Sequence, residues 1–158
     1  MSTSHDGSQA AAPGVRFQLN GQQVQARPGE TLLKVAQRAG IDIPNLCYKD
    51  GLETAGNCRA CVVEIEGERV LAPSCCRTPS ADMKVNTDSK RAVDAQKMVL
   101  ELLLSDMPEK DYTRHNEVDV WAEHLGVQKP RFEARAQPVA DVTHPGIAVH
   151  LDACIQCT

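Results

Sequence analysis

The chain has 158 residues, 42% of them hydrophobic, and a formal charge of −4. That length allows one modest core with a small appendage and excludes a large catalytic domain beside it. The negative charge argues against nucleic acid, which needs clustered Lys and Arg to displace counterions, and no apolar run approaches the ~18 to 20 residues of a membrane helix.

The opening residues, MSTSHDGSQAAAPG, have neither a basic start nor an apolar stretch and do not read as a secretion signal; residues 1–13 are expected to be a disordered tail. VRFQLNGQQVQARPG then alternates apolar and polar residues on both sides of Asn20-Gly21, a dipeptide suited to the positive φ of a two-residue hairpin turn. Two antiparallel strands are predicted, Val15 to Leu19 and Gln22 to Arg27. In TLLKVAQRAG, residues Leu32, Val35, Ala36 and Ala39 share one helical face, with Thr31 as N-cap and Gly40 just past the end. CVVEIEG and ERVLAPS predict strands joined by a turn near Gly67, and MKVNT a further one. Hairpin, helix, cysteine loop and three more strands predict an α+β, β-grasp domain over residues 14–88, the helix covering one face of a mixed sheet. Its core must be aliphatic, since the whole chain has only Phe17, Tyr48, Tyr112, Trp121 and Phe132 as aromatic residues.

From Asp88, DSKRAVDAQKMVLELLLSDMP places Val93, Met98, Val99, Leu102 and Leu103 at helical spacing, predicting an amphipathic helix that ends near Pro108. A shorter helix is predicted from Asn116 to Leu125, with Val118, Trp121, Ala122 and Leu125 aligned and Gly126 as its stop. Together they form a helical extension over 89–126 whose apolar faces exceed what a small domain buries, so they are expected to pack on a partner surface. Residues 127–145, with three prolines and little periodicity, are predicted to be a linker, and 146–158 a last segment ending in Cys154 and Cys157.

Seven cysteines without an export signal point to thiols kept reduced in the cytosol, hence a cytoplasmic protein in which metal binding outranks disulfides. Cys47, Cys58, Cys61 and Cys75 fall within 29 residues, separated by ten, two and thirteen. Such a soft quartet can hold zinc or an iron-sulfur cluster. In the cluster reading, two thiolates bind each of two irons. Zinc knuckles bring their ligands in two close pairs, whereas only Cys58 and Cys61 are close here, so the cluster is favoured and a zinc-stabilised interaction domain stays as the alternative. Gly56 lets the backbone pass near inorganic sulfide, and Arg59, inside the Cys58–Cys61 bend with Lys49 and Arg77 nearby in sequence, is expected to tune the centre. Cys76 is expected to be a small buried hydrophobe rather than a ligand. No catalytic residue is assigned, because no Ser-His-Asp set, Walker loop or dinucleotide fingerprint is present.

The run NLCYKDGLETAGNCRACVVEIEGERVLAPSCCRTP resembles the N-terminal 2Fe-2S domain of the large peripheral-arm subunit of respiratory complex I and its relatives. Within that group, AGNCRACVVEIEGERVLAPSCCRTP, KMVLELLLSDMP and HLDACIQCT look most like the alpha subunit of molybdenum-dependent, NAD-linked formate dehydrogenase. The resemblance implies a 2Fe-2S ferredoxin-like fold with Cys47, Cys58, Cys61 and Cys75 as cluster ligands, and an electron relay inside an oxidoreductase. Its partners would be the remainder of the alpha subunit and a flavin/NAD-binding subunit, with molybdopterin, FMN and NAD held elsewhere in the parent complex. MPEKDYTRHNEVDVWAEHLGV departs from complex I relatives by lacking the three cysteines that join a histidine around a 4Fe-4S cluster, leaving His115 and His124 as surface or helix-end residues. Cys154 and Cys157 resemble the first half of a 4Fe-4S run, a truncated 4Fe-4S ferredoxin segment that only a longer parent chain would complete. The ending is therefore expected to mark a fragment or a truncated gene product. A freestanding 2Fe-2S ferredoxin of another oxidoreductase, such as a soluble hydrogenase, is the further alternative.

Overall fold

The computed structural model describes residues 14–107, 116–149 and 154–157; the expected tail at 1–13, Pro108 and His115 lie outside them. Strands β1 (Val15–Leu19) and β2 (Gln22–Ala26) form the expected hairpin, Val15 opposite Ala26 and Leu19 opposite Gln22. Asn20 at φ 49° and Gly21 at φ 78° make the turn, since its twist demands positive φ at both central positions. Alternation along β1 sends Phe17 and Leu19 into the core.

Helix α1 (Leu32–Arg38) starts at Thr31, whose side chain accepts a hydrogen bond from the Lys34 N–H, and Gly40 follows it at φ 73°. It buries Leu32, Leu33, Val35 and Ala36. Two of the N–H groups that every helix leaves unsatisfied at its start go to a distant loop: Leu32 donates to the Arg77 carbonyl and Leu33 to the Ser74 carbonyl.

Strands β3 (Val62–Ile65), β4 (Ala72–Pro73) and β5 (Lys84–Asn86) complete a mixed five-stranded sheet in the order β2-β1-β5-β3-β4. β1 and β5 run parallel and the other neighbours antiparallel. The strand expected over ERVLAPS shrinks to two residues, because Pro73 has no N–H for the ladder and the chain turns directly afterwards. Phe17, Leu19, Leu33, Val63, Ile65 and Val85 fill the space between sheet and helix, and Cys61 and Cys75 belong to the same cluster. This is the expected α+β arrangement, a mixed sheet with a helix packed on it.

Helices α2 (Lys90–Asp106) and α3 (Glu117–His124) follow, capped by the side chains of Ser89 and Asn116. α2 docks on β3 through Gln96, whose buried side-chain amide donates to the Val62 carbonyl at 2.9 Å. Its buried stripe is Ala92, Gln96, Leu100 and Ser105, so the expected face is rotated: Met98 and Leu102 point outward, each 46% exposed. α3 turns Val118, Trp121, Ala122 and Leu125 inward as expected, and leaves Val120 exposed. The exposed His124 ends α3 with its ring edge-on to Trp121 at 5.5 Å. Strand β6 (Asp141–His144) lies within the stretch expected as linker and pairs with β7 (Ile147–Val149); the turn at Pro145-Gly146 permits a hairpin that apolar periodicity over so few residues does not reveal.

Candidate metal centre

The four clustered cysteines arrive from three places. Cys47 and Cys58 lie in the long connection between α1 and β3, Cys61 immediately precedes β3, and Cys75 stands two residues beyond β4. Cys47, Cys61 and Cys75 are buried and Cys58 is half-buried.

Their thiols lie close enough to act on one another: Cys58 on Cys47 and Cys75 on Cys61 most strongly, Cys61 on Cys47 through its charge, and Cys76 on Cys75 with the two sulfurs 3.5 Å apart. Among the described residues no three His, Cys, Asp or Glu side chains converge on a single-ion site. Backbone amides close around the sulfurs: Asn57 and Cys58 N–H groups reach Cys47, those of Leu46, Cys47 and Ala60 reach Cys58, and those of Cys61 and Cys75 reach the Cys61 sulfur.

The electrostatics follow from these contacts. Burial pushes the Cys47 thiol up, but the Cys58 and Asn57 donors outweigh it and the net shift is downward. Burial raises Cys58. The Cys75 thiol holds Cys61 well below the usual range against its burial, and by donating that bond Cys75 is itself driven upward, as burial also drives it.

Between Cys47 and Cys61 the loop's path takes three left-handed residues, Gly51 at φ 84°, Gly56 at φ 66° and Arg59 at φ 59°. Arg59 makes the tight bend between Cys58 and Cys61 and points to solvent. The residue pressed against Gly56 is Cys76: a Cβ at Gly56 would stand 2.7 Å from the Cys76 sulfur. Cys76 itself is exposed rather than buried, because the turn after β4 carries it outward, its sulfur 3.5 Å from that of Cys75. Arg77 is engaged away from the thiols, in an ion pair with Glu68.

Two supports were not legible in the sequence. Tyr48 donates to Asp50 at 2.8 Å, and Asp50 pairs with Lys34 of α1 at 3.0 Å, tying the residues after Cys47 to the helix. Ser74, fully buried beside Cys75, carries a hydroxyl with no hydrogen-bond partner.

Cys154 and Cys157 are exposed, yet their segment lies against the cysteine loop. The Asn57 side-chain amide donates to the Gln156 carbonyl at 2.6 Å, and Cys157 lines a cavity of about 120 Å³ with Leu46, Cys47, Tyr48 and Glu117.

Residues 12–90 match the family described as 2Fe-2S iron-sulfur cluster binding domain. The NADP-reducing hydrogenase subunit HndD of Solidesulfovibrio fructosivorans is 36% identical over 156 residues, covering 88% of this chain and 26% of that protein. The mitochondrial NADH-ubiquinone oxidoreductase 78 kDa subunit of Candida albicans is 31% identical over 151 residues, covering 91% of this chain and 21% of that protein. Among solved structures, an NAD+-reducing [NiFe]-hydrogenase in the H2-reduced state superposes with a TM-score of 0.78 at 26% identity, over 90% of this chain and 62% of that one. The chain spans about a quarter or less of the length of these curated relatives, all of them oxidoreductase subunits. With the family match extending from before β1 to the start of α2, through all four clustered cysteines, the chain belongs to the 2Fe-2S iron-sulfur cluster binding domain family.

Proposed function

We propose that this chain is an electron-relay module whose 2Fe-2S centre is held by Cys47 and Cys58 on one side and by Cys61 and Cys75 on the other. The match of residues 12–90, all four cysteines included, to the 2Fe-2S iron-sulfur cluster binding domain family carries the reading, and a binuclear centre takes two thiolates per iron. The donor set fits: soft sulfur ligands, mostly buried, ringed by backbone N–H groups that favour their charged form. When bound, the cluster supplies a site that takes up and returns one electron. The residues' own work is to hold four thiolates in place, to keep water from Cys47, Cys61 and Cys75 by burial, and to fix the bend through Arg59.

Cys154 and Cys157 then serve as half of a 4Fe-4S ligand set completed by further residues of a longer chain, with 89–126 as a helical extension between the two centres. The parent enzyme is an NAD(P)-linked oxidoreductase assembled from several subunits and working in the cytoplasm. The quoted motifs favour a formate dehydrogenase alpha subunit, with molybdopterin, FMN and NAD in the surrounding complex. A hydrogenase subunit is the second reading, favoured by the similarity to HndD and to the [NiFe]-hydrogenase structure. Among the described residues no helix is long and apolar enough to cross a membrane.

Anaerobic reconstitution with iron and sulfide, followed by reduction and low-temperature EPR, tests the centre. Two irons and two sulfides per chain and one unpaired spin are expected, with the signal lost in Cys61→Ser and kept in Cys76→Ser. A colourless chain that binds a single zinc would overturn the proposal. Offering formate or hydrogen to the complex captured with the tagged chain separates the two parent enzymes by which gas or acid reduces the centre.

A further inference from the structure

Ser74 stands apart among the buried polar groups. It is fully buried, and its Oγ is the sole buried side-chain oxygen or nitrogen among the described residues with no hydrogen-bond partner. A group of this kind in a native core calls for an explanation, because burial strips the hydroxyl of water.

Its position is fixed by the backbone. β3 and β4 pair with Val62 opposite Pro73, so the next positions along the ladder put Cys61 opposite Ser74, and the Ser74 N–H donates to the Cys61 carbonyl at 3.0 Å. The Ser74 carbonyl accepts from the Leu33 N–H of α1 at 3.0 Å, which clamps the residue from its other side. Residues opposite each other on antiparallel strands send their side chains to the same face. The hydroxyl therefore lies on the same side of the pairing as the Cys61 side chain. A neutral thiol is a weak acceptor, which leaves the hydroxyl orphaned; a metal-bound thiolate carries negative charge and accepts strongly.

Resting on the 2Fe-2S reading above, we propose that Ser74 is a positioning residue that donates its hydroxyl proton to the Cys61 thiolate and thereby favours the reduced centre. Each added electron increases the charge on the ligand sulfurs, and a donor fixed at one of them stabilises the reduced form more than the oxidised form. The donation breaks no covalent bond and needs no co-reactant.

Redox titration of the full chain, reconstituted anaerobically and followed by EPR, tests this. In Ser74→Ala the ratio of reduced to oxidised centre at a fixed ambient potential is expected to fall about tenfold, which for a one-electron couple is about 59 mV. Ser74→Thr, which keeps the hydroxyl, is expected to titrate with the parent protein, and an exchangeable deuteron coupled to the centre in heavy water to disappear in Ser74→Ala alone. Should the alanine variant fail to fold, Ser74→Gly lacks the hydroxyl without adding bulk and carries the same expectation. Full cluster content with an unshifted potential in the hydroxyl-free variant would overturn the role of Ser74 and leave the cluster reading standing. A parent chain that takes up no binuclear centre would overturn both, and iron content distinguishes the two failures.

Discussion

Gly56 shows how one hydrogen atom in place of a side chain shapes the cysteine loop. It sits at φ 66°, and a Cβ there would meet the Cys76 sulfur at 2.7 Å. A left-handed backbone costs an L side chain about 1 to 2 kcal/mol, and the contact adds to it. Gly56→Ala is expected to lower unfolding stability by about 2 to 3 kcal/mol in urea titrations. Adding Cys76→Gly should return only the contact's share and leave about 1 kcal/mol of backbone cost, so full recovery in the double variant would refute the left-handed argument. Asn20 does two jobs in the same way: at φ 49° it forms the hairpin turn, while its amide exchanges hydrogen bonds of 2.8 Å with the Thr87 hydroxyl and N–H. Asn20→Ala strips both from the buried Thr87 and is expected to cost about 2 kcal/mol by the same titration.

Between elements, a few polar contacts decide how the pieces dock. Gln96 of α2 satisfies the Val62 carbonyl one residue beyond Cys61, so Gln96→Ala leaves a buried acceptor bare. Thermal unfolding should show a loss of about 2 kcal/mol. The end of β2 is bound to α1 by Glu30, whose carboxylate accepts from the Arg27 N–H at 2.7 Å and from Arg38 at 2.8 and 3.1 Å. The Arg38 hydrogen bonds hold Glu30 below the usual carboxylate range despite opposing burial, with further help from the Arg27 N–H. Because the folded value lies below the unfolded one, the stability this adds is complete above about pH 4.3 and is lost as pH falls through the lowered folded value. Glu30→Gln should therefore be less stable than the parent at pH 7, and the gap should close on acidification. A gap that persisted at pH 2 would point to packing instead of charge.

At the scale of the whole molecule, an iron centre held by the four cysteines would staple the connection between α1 and β3 to the turn after β4. Removing iron with a chelator is expected to speed amide exchange across residues 44–60 and 73–77 while β1, β2 and the middle of α1 stay protected; uniform exchange along the chain would contradict this division. Several features were already written locally. Asn20-Gly21 dictated the hairpin, Thr31 and Gly40 bounded α1, Asn116 and Gly126 bounded α3, and four close cysteines announced a soft-metal donor set, since turns, caps and ligand type act over a few residues. Which thiol joins which, the parallel pairing of β1 with β5, the outward turn of Cys76, the rotation that leaves Met98 and Leu102 exposed and the placement of Ser74 opposite Cys61 came only with the folded chain. Each depends on register and packing between residues far apart in sequence, where no local preference selects one partner over another.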